Sequence, residues 1–233
     1  MAGLTLVLFD IDGTLIRGAG EGRGAMVQAA TELFGRADMF DSLSFAGAVD
    51  DQIVYRALEQ VGIPPTPRRI GRLKARYVRR LRSGFSEVRG QLCPGASAAI
   101  QAMAERGEVG IVTGNWRPSA KVKLEAYGLS GHFPEAIGAF GGDAFYRDDL
   151  LPIAVRRARR RWGGIDRVLM IGDTPADISC ARAGQAQMGP DGPEVIAVAV
   201  ETGFASPDAL AAAKPDLQLS DLEAGLPELL GVC

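Results

Sequence analysis

Leu4-Thr5-Leu6-Val7-Leu8-Phe9-Asp10-Ile11-Asp12-Gly13-Thr14-Leu15 starts as a nearly unbroken apolar run and ends in two aspartates and a glycine. Such a run suits a strand buried on both faces, as the middle of a parallel sheet requires. Residues 109–113, 136–140, 167–171 and 195–200 have the same character. Helical spacing fills the intervals, at 96–106 after Pro94-Gly95, 118–127, 150–162 and 177–183. This alternation predicts an α/β fold, a Rossmann-like parallel sheet with helices on both faces and right-handed crossovers.

About a hundred residues separate Phe9 from Val109, far more than a loop can hold. Within that gap 25–34, 51–61 and 67–82 read as helices. In the last, Ile70, Leu73, Tyr77 and Leu81 form an apolar stripe, with Arg69, Arg72, Arg76, Arg79 and Arg80 off it. A helical cap domain over 17–90 is therefore expected, inserted into a core of 1–16 and 91–233. The insert carries 13 Lys and Arg against 8 Asp and Glu, while the remainder carries 13 against 20. Opposite charge on two lobes is compatible with closure over an anion.

Composition narrows the function classes. The net charge of −2 argues against nucleic acid as a partner. No apolar run reaches the roughly 18 residues of a membrane span, and no basic region precedes the first strand as a signal peptide requires. Cys93, Cys180 and Cys233 are too few for a disulfide framework or a zinc site and read as reduced thiols. The expectation is a cytoplasmic protein, monomer or homodimer.

Ligands of open α/β sheets bind beyond the carboxyl ends of the strands. Those ends carry Asp10-Ile11-Asp12-Gly13-Thr14, Thr113-Gly114-Asn115, Gly141-Gly142-Asp143 with Arg147 nearby, and Gly172-Asp173-Thr174-Pro175-Ala176-Asp177. Carboxylates crowded on one edge repel one another, and a divalent cation is the usual remedy. An all-oxygen donor set suits Mg2+.

In this order the motifs resemble the haloacid-dehalogenase-like hydrolases, in particular the phosphoglycolate-phosphatase-like branch. The tail Ala199-Val200-Glu201-Thr202-Gly203-Phe204 followed by Lys214-Pro215-Asp216 is similar to that branch too. The resemblance implies a magnesium-dependent phosphatase for a small phosphorylated metabolite. Asp10 is then the nucleophile and a metal ligand, forming an aspartyl-phosphate. Asp12 is the general acid and base and lends its carbonyl to the metal. Thr113, Gly114 and Asn115 hold the phosphoryl oxygens, Asp173 binds the metal, and Gly13, Thr14 and Asp177 support these groups.

The family's lysine after the third strand is missing. The four lysines are Lys74, Lys121, Lys123 and Lys214, so Arg147 is the expected phosphate-binding cation, with Lys121 or Lys123 as substitutes. Blander readings accompany each motif. Asp10 and Asp12 alone would pass for turn residues, and 172–177 for a capped helix start with Pro175 in its first turn. Arg156 to Arg161 and the arginines of 68–82 read as solvated faces, and His132 as a loop residue. A phosphosugar mutase of the beta-phosphoglucomutase type uses the same core, and a non-catalytic binding module is the alternative from another class. Attack on carbon, as in a dehalogenase, does without the second aspartate, which here is present.

Overall fold

The computed structural model describes residues 4–85, 89–133 and 137–233. From the N-terminus the chain forms β1 (Thr5–Phe9), β2 (Ile16–Arg17), α1 (Glu21–Phe34), α2 (Asp50–Gln60), α3 (Pro67–Gly84) and β3 (Gln91–Leu92). There follow α4 (Ala96–Ala104), β4 (Glu108–Thr113), α5 (Arg117–Ala126), β5 (Gly138–Phe140), α6 (Leu150–Trp162) and β6 (Arg167–Gly172). The chain closes with α7 (Pro175–Met188), β7 (Glu194–Val200), α8 (Pro207–Ala212), β8 (Leu217–Leu219) and α9 (Leu226–Val232).

The expected parallel sheet is present, in the order β5-β4-β1-β6-β7-β8. Its pleat sorts the apolar residues. Val7, Phe9, Ile111, Leu169 and Ile171 turn to one face against α4, α5 and α9, while Leu6, Leu8, Val112, Val168 and Met170 turn to the other against α6, α7 and α8. Burial on both faces explains why the strands read as continuous apolar runs rather than alternations.

A third apolar cluster lies in α1, α2 and α3, with Met26, Phe40, Val54, Leu58, Leu73, Tyr77 and Leu81 at its centre. Trp116 and Val122, from the segment after β4, complete it. The chain leaves and re-enters the core side by side, through the antiparallel pair β2 and β3. Capping sets the helix starts. Thr66 Oγ1 accepts the Arg69 amide ahead of Pro67 in α3, and Thr174 with Asp177 forms a capping box ahead of Pro175 in α7.

Several details differ from the sequence reading. The strand expected at 136–140 is Gly138–Phe140, and Ala136 lies outside the described residues. The helix expected at 177–183 runs over Pro175–Met188. Strand β8 and the β2–β3 pair were not anticipated; three- and two-residue strands are too short to show a period. Arg76 and Arg80 are not simply solvated, since both pair with Glu32 of α1. His132 closes a single 3-10 turn, Ser130–His132. Among the described residues no helix is long and apolar enough to cross a membrane.

Candidate active site

Parallel strands aim their carboxyl ends at one edge, and there Asp10, Asp173 and Asp177 come together with carboxylate oxygens within 4.8 Å of one another. All three are buried. Glycine makes the room. A Cβ on Gly13 (φ 88°) would lie 2.2 Å from Asp173 Oδ2, and one on Gly203 would lie 1.7 Å from it. Thr14 Oγ1 donates to Asp173 Oδ1 at 3.3 Å, and the Phe204 amide donates to Oδ2 at 3.0 Å. Thr202 Oγ1 donates to the Gly13 carbonyl at 2.6 Å, which ties the tail motif to the first loop. Thr14 therefore braces Asp173.

This corner holds more negative charge than Arg147 alone can balance. Burial pushes the Asp10 carboxyl up to about 6, opposed by Arg147 and assisted by Asp177 and Asp12. Burial, Asp177 and Asp10 together push Asp173 up to about 8. Asp10 Oδ1 is buried with no hydrogen-bond partner among the described residues. Such an oxygen, beside two further carboxylates, fits a divalent cation. Arg147 Nη2 lies 3.2 Å from Asp10 Oδ2 and also binds Asp177. Burial works to lower the Arg147 pKa, but Asp177 and Asp10 outweigh it and hold the guanidinium charged. Asp177 also accepts the Thr174 amide at 3.0 Å and hydroxyl at 2.7 Å, so it stands as a brace with few lone pairs to spare.

A second corner forms around Asp12, whose side chain is 35% exposed against 6% for Asp10. Asp12 Oδ2 accepts Lys123 Nζ at 2.5 Å and Asn115 Nδ2 at 2.7 Å. Lys123 also donates to Asn115 Oδ1 at 2.7 Å. Thr113 Oγ1 accepts from Asn115 Nδ2 at 2.9 Å, leaving its own proton to donate elsewhere. Lys123, a substitute candidate in the sequence reading, is thus a central member of the site, 7% exposed on α5. Its signal was available: Trp116, Ala120 and Lys123 fall at i, i+4 and i+7, a charge on an otherwise apolar stripe. Asp143, by contrast, turns away and pairs with Arg157 at 2.5 Å.

The helical insert contributes the opposite wall. Asp50, at the start of α2, donates its amide to the Gly114 carbonyl at 2.8 Å and accepts the Trp116 amide at 2.8 Å. Asp51 accepts the Trp116 indole N–H at 2.7 Å. Gly114 must be glycine here, since a Cβ would fall 1.9 Å from the Ala48 carbonyl oxygen. Burial raises the Asp50 carboxyl to about 6, partly opposed by the Trp116 amide and Lys123. Between these walls is a cavity of about 460 Å3, lined by Asp10, Asp12, Thr113, Lys123 and Arg147 from the sheet edge and by the loops before α1 and α2.

Comparison with known proteins places the chain in a family. The family model for haloacid dehalogenase-like hydrolases matches residues 4–185, and a HAD-hydrolase-like model matches residues 150–224. The phosphoglycolate phosphatase of Rhodospirillum rubrum is 27% identical, over 76% of this chain and 75% of its own. Among solved structures, a haloacid dehalogenase-like hydrolase from Streptococcus pneumoniae superimposes with a TM-score of 0.64 at 18% identity, covering 98% of this chain and all of its own. CbbY from Rhodobacter sphaeroides, solved in complex with phosphate, gives 0.69 at 18% identity over 94% of this chain and 95% of its own. With a family model matching most of its length, this chain belongs to the haloacid dehalogenase-like hydrolases.

Proposed function

We propose that the protein is a magnesium-dependent phosphatase, phosphoglycolate-phosphatase-like, that hydrolyses a small phosphorylated metabolite through an aspartyl-phosphate on Asp10. The observation that carries this reading is the division of labour between the two aspartates. Asp10 is buried among carboxylates, with one oxygen that has no hydrogen-bond partner among the described residues. Asp12 is half-open and hydrogen-bonded to Lys123 and Asn115. Those are the environments of a nucleophile and of a proton carrier.

In the first step an Asp10 oxygen attacks phosphorus and the bond to the alcohol oxygen breaks, with Asp12 delivering the proton to the leaving oxygen. In the second, Asp12 takes a proton from water, which attacks phosphorus and releases phosphate with Asp10 regenerated. Asp10, Asp173 and the Asp12 carbonyl would hold magnesium, which supplies charge neutralisation for the phosphoryl oxygens. Thr113 and the Gly114–Asn115 backbone hold those oxygens, Lys123 keeps Asp12 oriented, and Arg147 restrains Asp10. Asp177 orients Arg147 and the Thr174 turn. Residues 17–90 act as the cap over a core of 1–16 and 91–233. Free Cys93, Cys180 and Cys233 suit a reducing compartment such as the cytoplasm.

The test is phosphate release from a generic aryl phosphate with no bisphosphate added, which separates hydrolysis from a mutase cycle. Activity should vanish with chelator and return with magnesium, and Asp10→Asn should lower kcat by about three orders of magnitude or more. Wild-type turnover by Asp10→Asn would refute the mechanism.

A further inference from the structure

The cavity's volume, about 460 Å3, falls within the roughly 300–1,000 Å3 that encloses drug-sized ligands. A phosphorylated two-carbon acid is a fraction of that size. Beyond the charged sheet edge the lining is largely apolar, with Leu43, Phe45, Ile53, Tyr77 and Phe85 from the insert and Phe204 from the core. Phe204 is 66% exposed, a large apolar surface facing solvent beside a binding cavity.

Among the charged side chains that the insert adds to this lining, Arg23 and Asp50 are engaged. Arg23 donates to the Phe40 and Leu43 carbonyls and lies over the Phe45 ring, while Asp50 is held by Trp116 and Ser119. Glu21 differs. It is the first residue of α1 and 7% exposed, and its Oε2 accepts the Ala19 amide at 2.7 Å. Its Oε1 is buried with no hydrogen-bond partner among the described residues. A buried carboxylate oxygen left without a donor is costly, and a donor brought by a ligand relieves that cost. A second carboxylate brought to the same place would be repelled.

We infer that the cap admits a phosphomonoester whose alcohol part is larger than a two-carbon acid, apolar along its flank, and equipped with a hydroxyl or amine that donates to Glu21. This rests on the phosphatase reading above and names the substrate class for it. Glu21 is then a specificity-determining residue, acting through the bound leaving group and not on the reacting atoms. Phosphoglycolate, from which the Rhodospirillum rubrum relative takes its name, is small and presents a carboxylate, so it fits this cavity poorly.

The test uses the full chain with magnesium and three probes: phosphoglycolate, 4-(2-aminoethyl)phenyl phosphate and 4-(carboxymethyl)phenyl phosphate. The two aryl esters share one frame and differ in the group at its far end. The amine ester should exceed the carboxylate ester in kcat/KM by roughly tenfold or more, and phosphoglycolate should be the poorest of the three. Glu21→Gln keeps an acceptor for the Ala19 amide and should bring the two aryl esters close to parity. Equal or reversed wild-type preference, or phosphoglycolate as the best substrate, overturns the proposal, and this holds even if the variant does not fold. An equal drop for all three probes in Glu21→Gln also overturns it, by showing that Glu21 only holds the loop. Phosphate release from none of them overturns the phosphatase reading along with it, whereas release with the wrong preference overturns this proposal alone.

Discussion

Arg147 is the cation expected after the third strand in place of a lysine, and its surroundings are those of a guanidinium shared between two carboxylates. One side chain, 7% exposed, reaches both Asp10 and Asp177, a span suited to a planar fork with several donors. Removing its charge would take away the cation that the buried Asp10 and Asp177 carboxylates share. For the metal-free protein, Arg147→Met should therefore lower the unfolding free energy by about 3–5 kcal/mol near neutral pH. Arg147→Lys, which keeps the charge, should cost clearly less. Guanidinium unfolding in the presence of chelator reads both, and an unchanged midpoint for Arg147→Met would contradict this role. The sequence pointed to Arg147 because chain position after the third strand is a local fact. For Lys123 the spacing marks a charge on an apolar stripe, but only packing against the insert brings that stripe to Asp12.

At the scale of elements, the contact that matters is between the start of α2 and the turn from β4 into α5. Asp50 and Asp51 hold the backbone and indole N–H groups of Trp116, and the Trp116 ring is fully buried in the apolar cluster of α1–α3. The turn carrying Thr113 and Asn115 is thus set by the insert as well as by the sheet. Asp50 binds its proton more tightly folded, at about 6, than at its ordinary 3.8. Its contribution to stability is present in full below about pH 4 and lost as pH rises through about 6. Asp50→Asn does not titrate and keeps an acceptor for the Trp116 amide. Its stability relative to wild type should therefore climb by on the order of 3 kcal/mol between pH 4 and pH 7. Parallel pH profiles from urea unfolding would contradict the burial argument. The helices were legible from their own period, and the long strands from unbroken apolar runs that burial on both faces requires. The grip on Trp116 was not, since residues 50 and 116 are joined only by tertiary folding. The tail motif was read by likeness, and only the structure shows Gly203 making room for Asp173.

For the whole molecule, two sheet faces and a separate helical cluster leave one charged edge opposite an apolar wall. The sheet edge was readable, because strand ends in a parallel sheet converge whatever the loops do. The wall was not, because its residues come from the loops before α1 and α2 and acquire meaning only by facing the aspartates across the cavity. Both halves serve a single chemical claim, that Asp10 carries the phosphoryl group in mid-reaction. Rapid-quench trapping with borohydride tests it most directly, since borohydride reduces an aspartyl-phosphate to homoserine at the modified residue. With an aryl phosphate and magnesium present, peptide mapping should find homoserine at position 10, absent without substrate or magnesium and absent in Asp10→Asn. Rapid turnover with residue 10 unmodified at every quench time, or homoserine at another aspartate, would contradict the account.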